Sequence, residues 1–171
     1  MQRIIALDLS LTATGFCEGQ RIEVWRTKLK GHQRLDYILG AVQAATSHGA
    51  PLVFIEGFSF GSKGSSLYEI AGLGYLVRHH LWLQGIPFGI VAPSTLKKYA
   101  TGKGNAGKPD MLDAAIRRFD YQGPPDDNAV DAFLLWHLAN QHLGHPLVSV
   151  PKNQIPAPDK IAWPGEPKEA S

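Results

Sequence analysis

Residues 4–16, I-I-A-L-D-L-S-L-T-A-T-G-F, restrict the possible folds more than any other stretch of the chain. The stretch opens as a short apolar run of the kind that forms a strand buried on both faces. Asp8 interrupts it. A carboxylate withdrawn from water is costly unless a cation or hydrogen bonds compensate, so this aspartate is not a packing choice. Ser10, Thr12, Thr14 and Gly15 then read as a turn into a second strand over 15–18. A strand end carrying a solvated acid is the plain alternative. The functional reading requires other acids to arrive at the same place.

Three more do so along the chain. Strands are expected over 3–9, 15–18 and 20–28, a three-strand meander, followed by helical spacing over 32–45 with Leu35, Ile38, Leu39, Val42 and Ala45 on one stripe. A fourth short buried strand, 52–55, runs straight into Glu56. After a flexible loop over 57–66, G-F-S-F-G-S-K-G-S-S, comes a long apolar helix over 67–84 that contains Gly72 and Gly74. Each glycine costs a helix about 1 kcal/mol against alanine, which calls for close packing on the sheet or against a second copy. A strand over 87–91, a short helix over 93–99 opened by Pro93, and helices over 109–119 and 126–142 complete the pattern. The result is an α/β domain with a five-stranded mixed sheet, the meander plus two parallel strands, flanked by helices. It spans 1–145. Residues 146–171 hold six of the twelve prolines and little periodicity, the pattern of an extended or disordered tail.

The last helix opens P-P-D-D-N-A-V-D-A. Asp126 suits a helix cap. Asp127 and Asp131, four apart, share one face, and Asp131 lies too far into the helix for capping to explain it. Asp8, Glu56 and this pair form an all-oxygen donor set of the kind hard divalent cations take, two Mg²⁺ per site with Mn²⁺ as a substitute. Two such ions about 4 Å apart activate a water and stabilise the leaving oxygen in phosphodiester hydrolysis. Composition alone does not announce a nucleic-acid binder. Net charge is only +2, but residues 97–118 carry six basic side chains (Lys97, Lys98, Lys103, Lys108, Arg117, Arg118) against Asp110 and Asp113. A patch like this is often only a solvated face, and the acids beside it favour phosphate contact. The single Cys17 excludes a disulfide framework and a thiolate zinc cage, and the seven histidines show no ligand spacing. With no membrane-length apolar run and no signal-peptide pattern, the expected location is the cytoplasm, or the host cytoplasm if the chain is virus-encoded.

Over roughly residues 3–142 the sequence resembles the RuvC-like Holliday junction resolvases of the RNase H-like superfamily. The resemblance rests on I-A-L-D-L-S, on F-I-E, on A-P-S-T-L-K-K-Y-A-T-G-K-G-N-A-G-K, and on D-D-N-A-V-D-A. The third block is the most specific, with a proline, a lysine, G-x-G, an alanine and a second lysine in the family's order. The resemblance implies an RNase H-like fold and a homodimer acting on branched DNA, a four-way junction cut by paired symmetric nicks. It places Asp8, Glu56 and Asp131 as metal ligands and Lys97 and Lys108 beside the scissile phosphate. Lys98, Lys103 and the loop's Lys63 are further candidates for DNA contact. One position departs from it. The family's fourth ligand lies three residues before the last aspartate, where this chain has Asn128. The expectation is that Asp127 supplies the carboxylate, with Asn128 as a weaker ligand or neutral neighbour. The family's wedge aromatic has two candidates, Phe58 and Phe60, and the long helix is the expected dimer interface.

Three other readings compete. A related RNase H-like nuclease for other branched DNA or RNA would use the same acids, and a junction-binding protein with weak or no cleavage is kept open by Asn128. A sugar-kinase or actin-like ATPase, suggested by D-L-S-L-T-A-T-G, needs two domains and a second phosphate motif, and 171 residues are too few.

Overall fold

Alternation along the first strand sets the layering. In the computed structural model, which describes residues 2–58 and 65–163, β1 (Ile4–Asp8) turns Ile5 and Leu7 to one side of the sheet and Ile4 and Ala6 to the other. With a period of two, Asp8 falls on the Ile4 and Ala6 side. β4 (Leu52–Glu56) repeats the pattern. Val53 and Ile55 share the first side, while Leu52 and Phe54 share the second, which is therefore also the side of Glu56.

β1 pairs antiparallel with β2 (Ala13–Glu18), β2 antiparallel with β3 (Arg21–Arg26), and β1 runs parallel to β4 and β4 to β5 (Phe88–Val91). Helices α1 (Gly31–Thr46) and α2 (Ser65–Leu83) cover the Ile5 side through residues such as Ile38, Val42, Leu73 and Val77. Helices α3 (Pro93–Thr101), α4 (Lys108–Phe119) and α5 (Asp127–His142) cover the other. α5 is buried from Ala132 to Leu135 and again from His137 to Asn140, as expected of a helix enclosed on most sides.

The sheet has six strands, not five: its order is β3-β2-β1-β4-β5-β6. The extra strand, β6 (Ile161–Ala162), pairs antiparallel with β5 and comes from the stretch read as tail. Val150 and Ile161 are buried in the core on the α5 side, and the Trp163 ring meets Phe54 edge-on at 5.5 Å. Two residues carry no readable period, and their pairing is recruited by the otherwise open edge of β5.

Two local devices fix α5 over the sheet. The Thr14 hydroxyl accepts from the Ser10 N–H at 3.2 Å and donates to the Ser10 carbonyl at 2.9 Å, closing the turn that follows Asp8. The next residue, Gly15, pairs with Asp8 across the strands. A Cβ on Gly15 would lie 1.9 Å from the Asn128 carbonyl oxygen, so only glycine admits the first turn of α5 at this distance. Asp126 caps that helix as its sequence position suggests. Its carboxylate accepts from the N–H groups of Asn128 at 3.0 Å and Ala129 at 3.3 Å, and Arg26 pairs with it at 2.6 Å.

Candidate metal centre and its cleft

β1 and β4 run parallel and side by side, so their C-terminal residues emerge at the same edge, a usual place for sites in open α/β sheets. Asp8 and Glu56 occupy those ends, and α5 lays Asp131 over them. One carboxylate oxygen from each of the three lies within 4.8 Å of the others. The cluster is electrostatically strained. Burial, then the charges of Asp131 and Asp126, hold the Asp8 carboxyl well above the ordinary carboxylate range, with Lys108 opposing. Burial, then Asp8 and Asp131, raise Glu56 in the same way, with Lys97 opposing. Burial pushes Asp131 up to about 6, against the pull of Lys97.

The Glu56 Oε2 atom is buried with no hydrogen-bond partner among the described residues. A buried carboxylate oxygen without a donor, clustered with two more carboxylates, is suited to a cation as its partner. The donor set is wholly oxygen, which suits a hard divalent ion.

These three acids line a cleft of about 400 Å³ together with Phe58, Lys97, Lys108 and Asp127. Asp127 is half exposed at the rim, where Lys108 Nζ donates to its Oδ2 at 2.5 Å and is held protonated by it. Lys97 reaches the cleft from α3, which starts at Pro93 and is capped after Thr101 by Gly102, a residue in the left-handed conformation. Lys108 opens α4, whose Asp110 carboxylate accepts from the Gly107 N–H at 3.2 Å. The two lysines thus approach the acids from two helices.

The other sequence candidates distribute differently. Asn128 contributes through its main chain, its N–H to Asp126 and its carbonyl against Gly15, and it does not line the cleft. Lys98 is exposed on α3 and does not line the cleft either. Lys103 borders a separate shallow groove with Thr101, Arg117 and Arg118. Phe58 is half-buried. Its ring fills the space beside Gly74, where a Cβ would fall 1.9 Å from Phe58 Cζ, and this accounts for one of the two helix glycines. Gly72 meets nothing within 4 Å. Phe60 and Lys63 lie outside the described residues. Sequence reasoning missed Gly15, although an isolated glycine in a strand is a signal of close backbone approach. It also missed Arg78, a charge inside an apolar helix.

A curated relative, the crossover junction endodeoxyribonuclease RuvC of Synechococcus sp. (strain CC9311), is 27% identical over 132 residues, 77% of this chain and 74% of that protein. The structure of T. thermophilus RuvC in complex with a Holliday junction substrate superposes with a TM-score of 0.69 at 17% identity, over 88% of this chain and all of that one. The chain is thus similar to RuvC in sequence and in fold. A second Thermus thermophilus RuvC structure agrees, with a TM-score of 0.65 over 86% of this chain and 99% of its own. No family model matches. The RuvC-like fold is the RNase H-like arrangement expected from the sequence, with one more strand. No helix among the described residues is long and apolar enough to cross a membrane.

Proposed function

We propose that this chain is a Mg²⁺-dependent endonuclease that resolves four-way DNA junctions by paired, symmetric nicks. The observation that carries the reading is the strained trio Asp8, Glu56 and Asp131, with the orphaned Glu56 Oε2, in a cleft flanked by two lysines. The similarity to RuvC proteins, one of them in complex with a Holliday junction substrate, supports branched DNA as the substrate.

The three carboxylates would hold the cations, Mn²⁺ serving in place of Mg²⁺, and Asp127 would turn from Lys108 to complete the ligand set. Bound there, a pair of divalent ions supplies an activated water and charge stabilisation at the leaving oxygen. Lys108 and Lys97 place positive charge where the phosphate gains negative charge in the transition state. Lys98 and Lys103, with Lys63 and Phe60 of the loop, extend the DNA contact surface, mainly to phosphates. Phe58, two residues beyond Glu56 and on the cleft wall, would meet an unstacked base.

Two opposed nicks require two sites, and a two-fold dimer matches a two-fold junction. Tyr68, Tyr75 and Trp82, spaced by seven along α2, are 81%, 69% and 58% exposed, and Gly72 between them leaves open space. A second copy packed along this stripe would bury it. Such an enzyme would work in the cytoplasm.

The test is cleavage of immobile and mobile four-way junctions, a flap and linear duplex, each with Mg²⁺ and with EDTA, by the wild type, Asp8→Asn and Asp127→Asn. Symmetric nicks on the junctions alone, lost with EDTA and in both variants, are the expected result. Tight junction binding without cleavage in Mg²⁺ or Mn²⁺ would leave a binding module instead, and equal cutting of flaps would make it a broader branched-DNA nuclease.

A further inference from the structure

α2 contains two charged residues, Glu69 and Arg78. Glu69 pairs with Arg34. Arg78 is half-buried, and among the described residues it has no ion pair and its buried Nε has no acceptor. What it has instead is aromatic. Its guanidinium carbon lies over the Phe58 ring at 5.3 Å from the centroid and over the Tyr75 ring at 5.4 Å, both within cation–π range. The Phe58 ring is thus backed by the bare Cα of Gly74 and covered by Arg78, one helical turn further on.

An arginine in this position is a poor choice for packing alone. A methionine or leucine would fill the volume without a buried, unpartnered N–H. The planar guanidinium adds what an aliphatic side chain lacks, an orientation-dependent attraction to a ring face. The ring concerned stands on the cleft wall, two residues from a metal-ligand candidate.

We propose that Arg78 is a positioning residue that holds the Phe58 ring in one orientation at the cleft, ready to receive an unstacked nucleobase of branched DNA. This rests on the junction-cleaving function only for what Phe58 receives. The placement of the ring is independent of it.

The experiment uses the full chain with 2-fluorophenylalanine at position 58, which keeps the label off the ring tip packed on Gly74, and compares wild type, Arg78→Met and Arg78→Lys. Arg78→Met is expected to shift and broaden the ¹⁹F resonance without DNA present. It should lower kcat on a saturating four-way junction about tenfold while leaving junction affinity within about threefold, because the phosphate-contacting lysines are untouched. Arg78→Lys, which keeps the charge and loses the plane, should fall between. Phe58→Leu should lower kcat similarly, and adding Arg78→Met to it should lower kcat no further. An unchanged fluorine resonance, cleavage by Arg78→Met within twofold of wild type, or full additivity with Phe58→Leu would each overturn the proposal. A wild type that cuts no junction would sink the functional reading instead, and the fluorine comparison would still decide whether Arg78 places the ring.

Discussion

Substituting Gly15 by alanine tests whether the metal centre is set by one close approach between a strand and a helix. The added Cβ would sit 1.9 Å from the Asn128 carbonyl oxygen and 2.4 Å from its carbon, where ordinary contact begins near 3.4 Å. The obstacle is main chain, so it cannot swing aside. The first turn of α5 must retreat by about 1.5 Å, and Asp131 and Asp127 move with it. Mg²⁺ tolerates little departure from oxygen distances of about 2.0–2.1 Å, and a misplacement near 1 Å costs on the order of 100-fold in rate. Overpacking of this kind also destabilises by about 1–3 kcal/mol, a fall in Tm of roughly 2–12 °C at this chain length. Gly15→Ala should therefore cut junctions at least about 100-fold more slowly and lose most of the Tm increase that Mg²⁺ gives the wild type. Gly40→Ala, in the middle of α1 with nothing within 4 Å of the new Cβ, is the matched control and should stabilise by about 0.5–1 kcal/mol. Wild-type cleavage together with an unchanged Mg²⁺-induced Tm shift in Gly15→Ala would refute the reasoning.

Two further outcomes follow from the charges. Asp8→Asn removes one of three crowded buried carboxylates, so the metal-free variant should melt above the metal-free wild type by a few degrees while losing cleavage and the Mg²⁺ response, both read in one thermal-shift series. His137 is enclosed by the rings of Phe119, Phe133 and Trp136, and burial pushes it down to about 4. The unfolded chain takes up this proton first, near pH 6.5, so the contribution is complete above pH 6.5 and is lost as pH falls to 4, about 3 kcal/mol in all. Asp131, raised to about 6, acts in the opposite sense. The measurement is accordingly the difference in urea midpoints between wild type and His137→Phe at pH 7.5 and pH 4.5, and an unchanged difference would contradict it.

The acidic trio was legible because strand period and helix period are both short-range rules. Asp8 and Glu56 stand at the ends of apolar runs, and Asp131 stands beyond the reach of a cap, so each was conspicuous where it stood. Asp126 and Asp127 were separable for the same reason, since only Asp126 occupies the cap position. The distribution of the lysines was not legible. Lys97 and Lys98 are neighbours in sequence but point to different surroundings around α3, and only the packing of α3 on the sheet decides which one faces the acids. Gly15 and Gly74 depended on contacts 113 and 16 residues away, with Asn128 and Phe58, which no local window contains. β6 was invisible because a two-residue strand takes its conformation from the edge it joins.

That late strand also bears on synthesis. β5 is complete at Val91, while its outer partner, Ile161–Ala162, lies about 70 residues further along. At about 5–20 residues per second, the N–H and C=O groups on the outer side of β5 wait roughly 4–14 s for their partner to be made. During that interval the nascent domain presents F-G-I-V as a ready template for another strand. Chains on neighbouring ribosomes are the nearest source of one, so the yield of native protein should be limited by the crowding of translation more than by the stability of the finished fold.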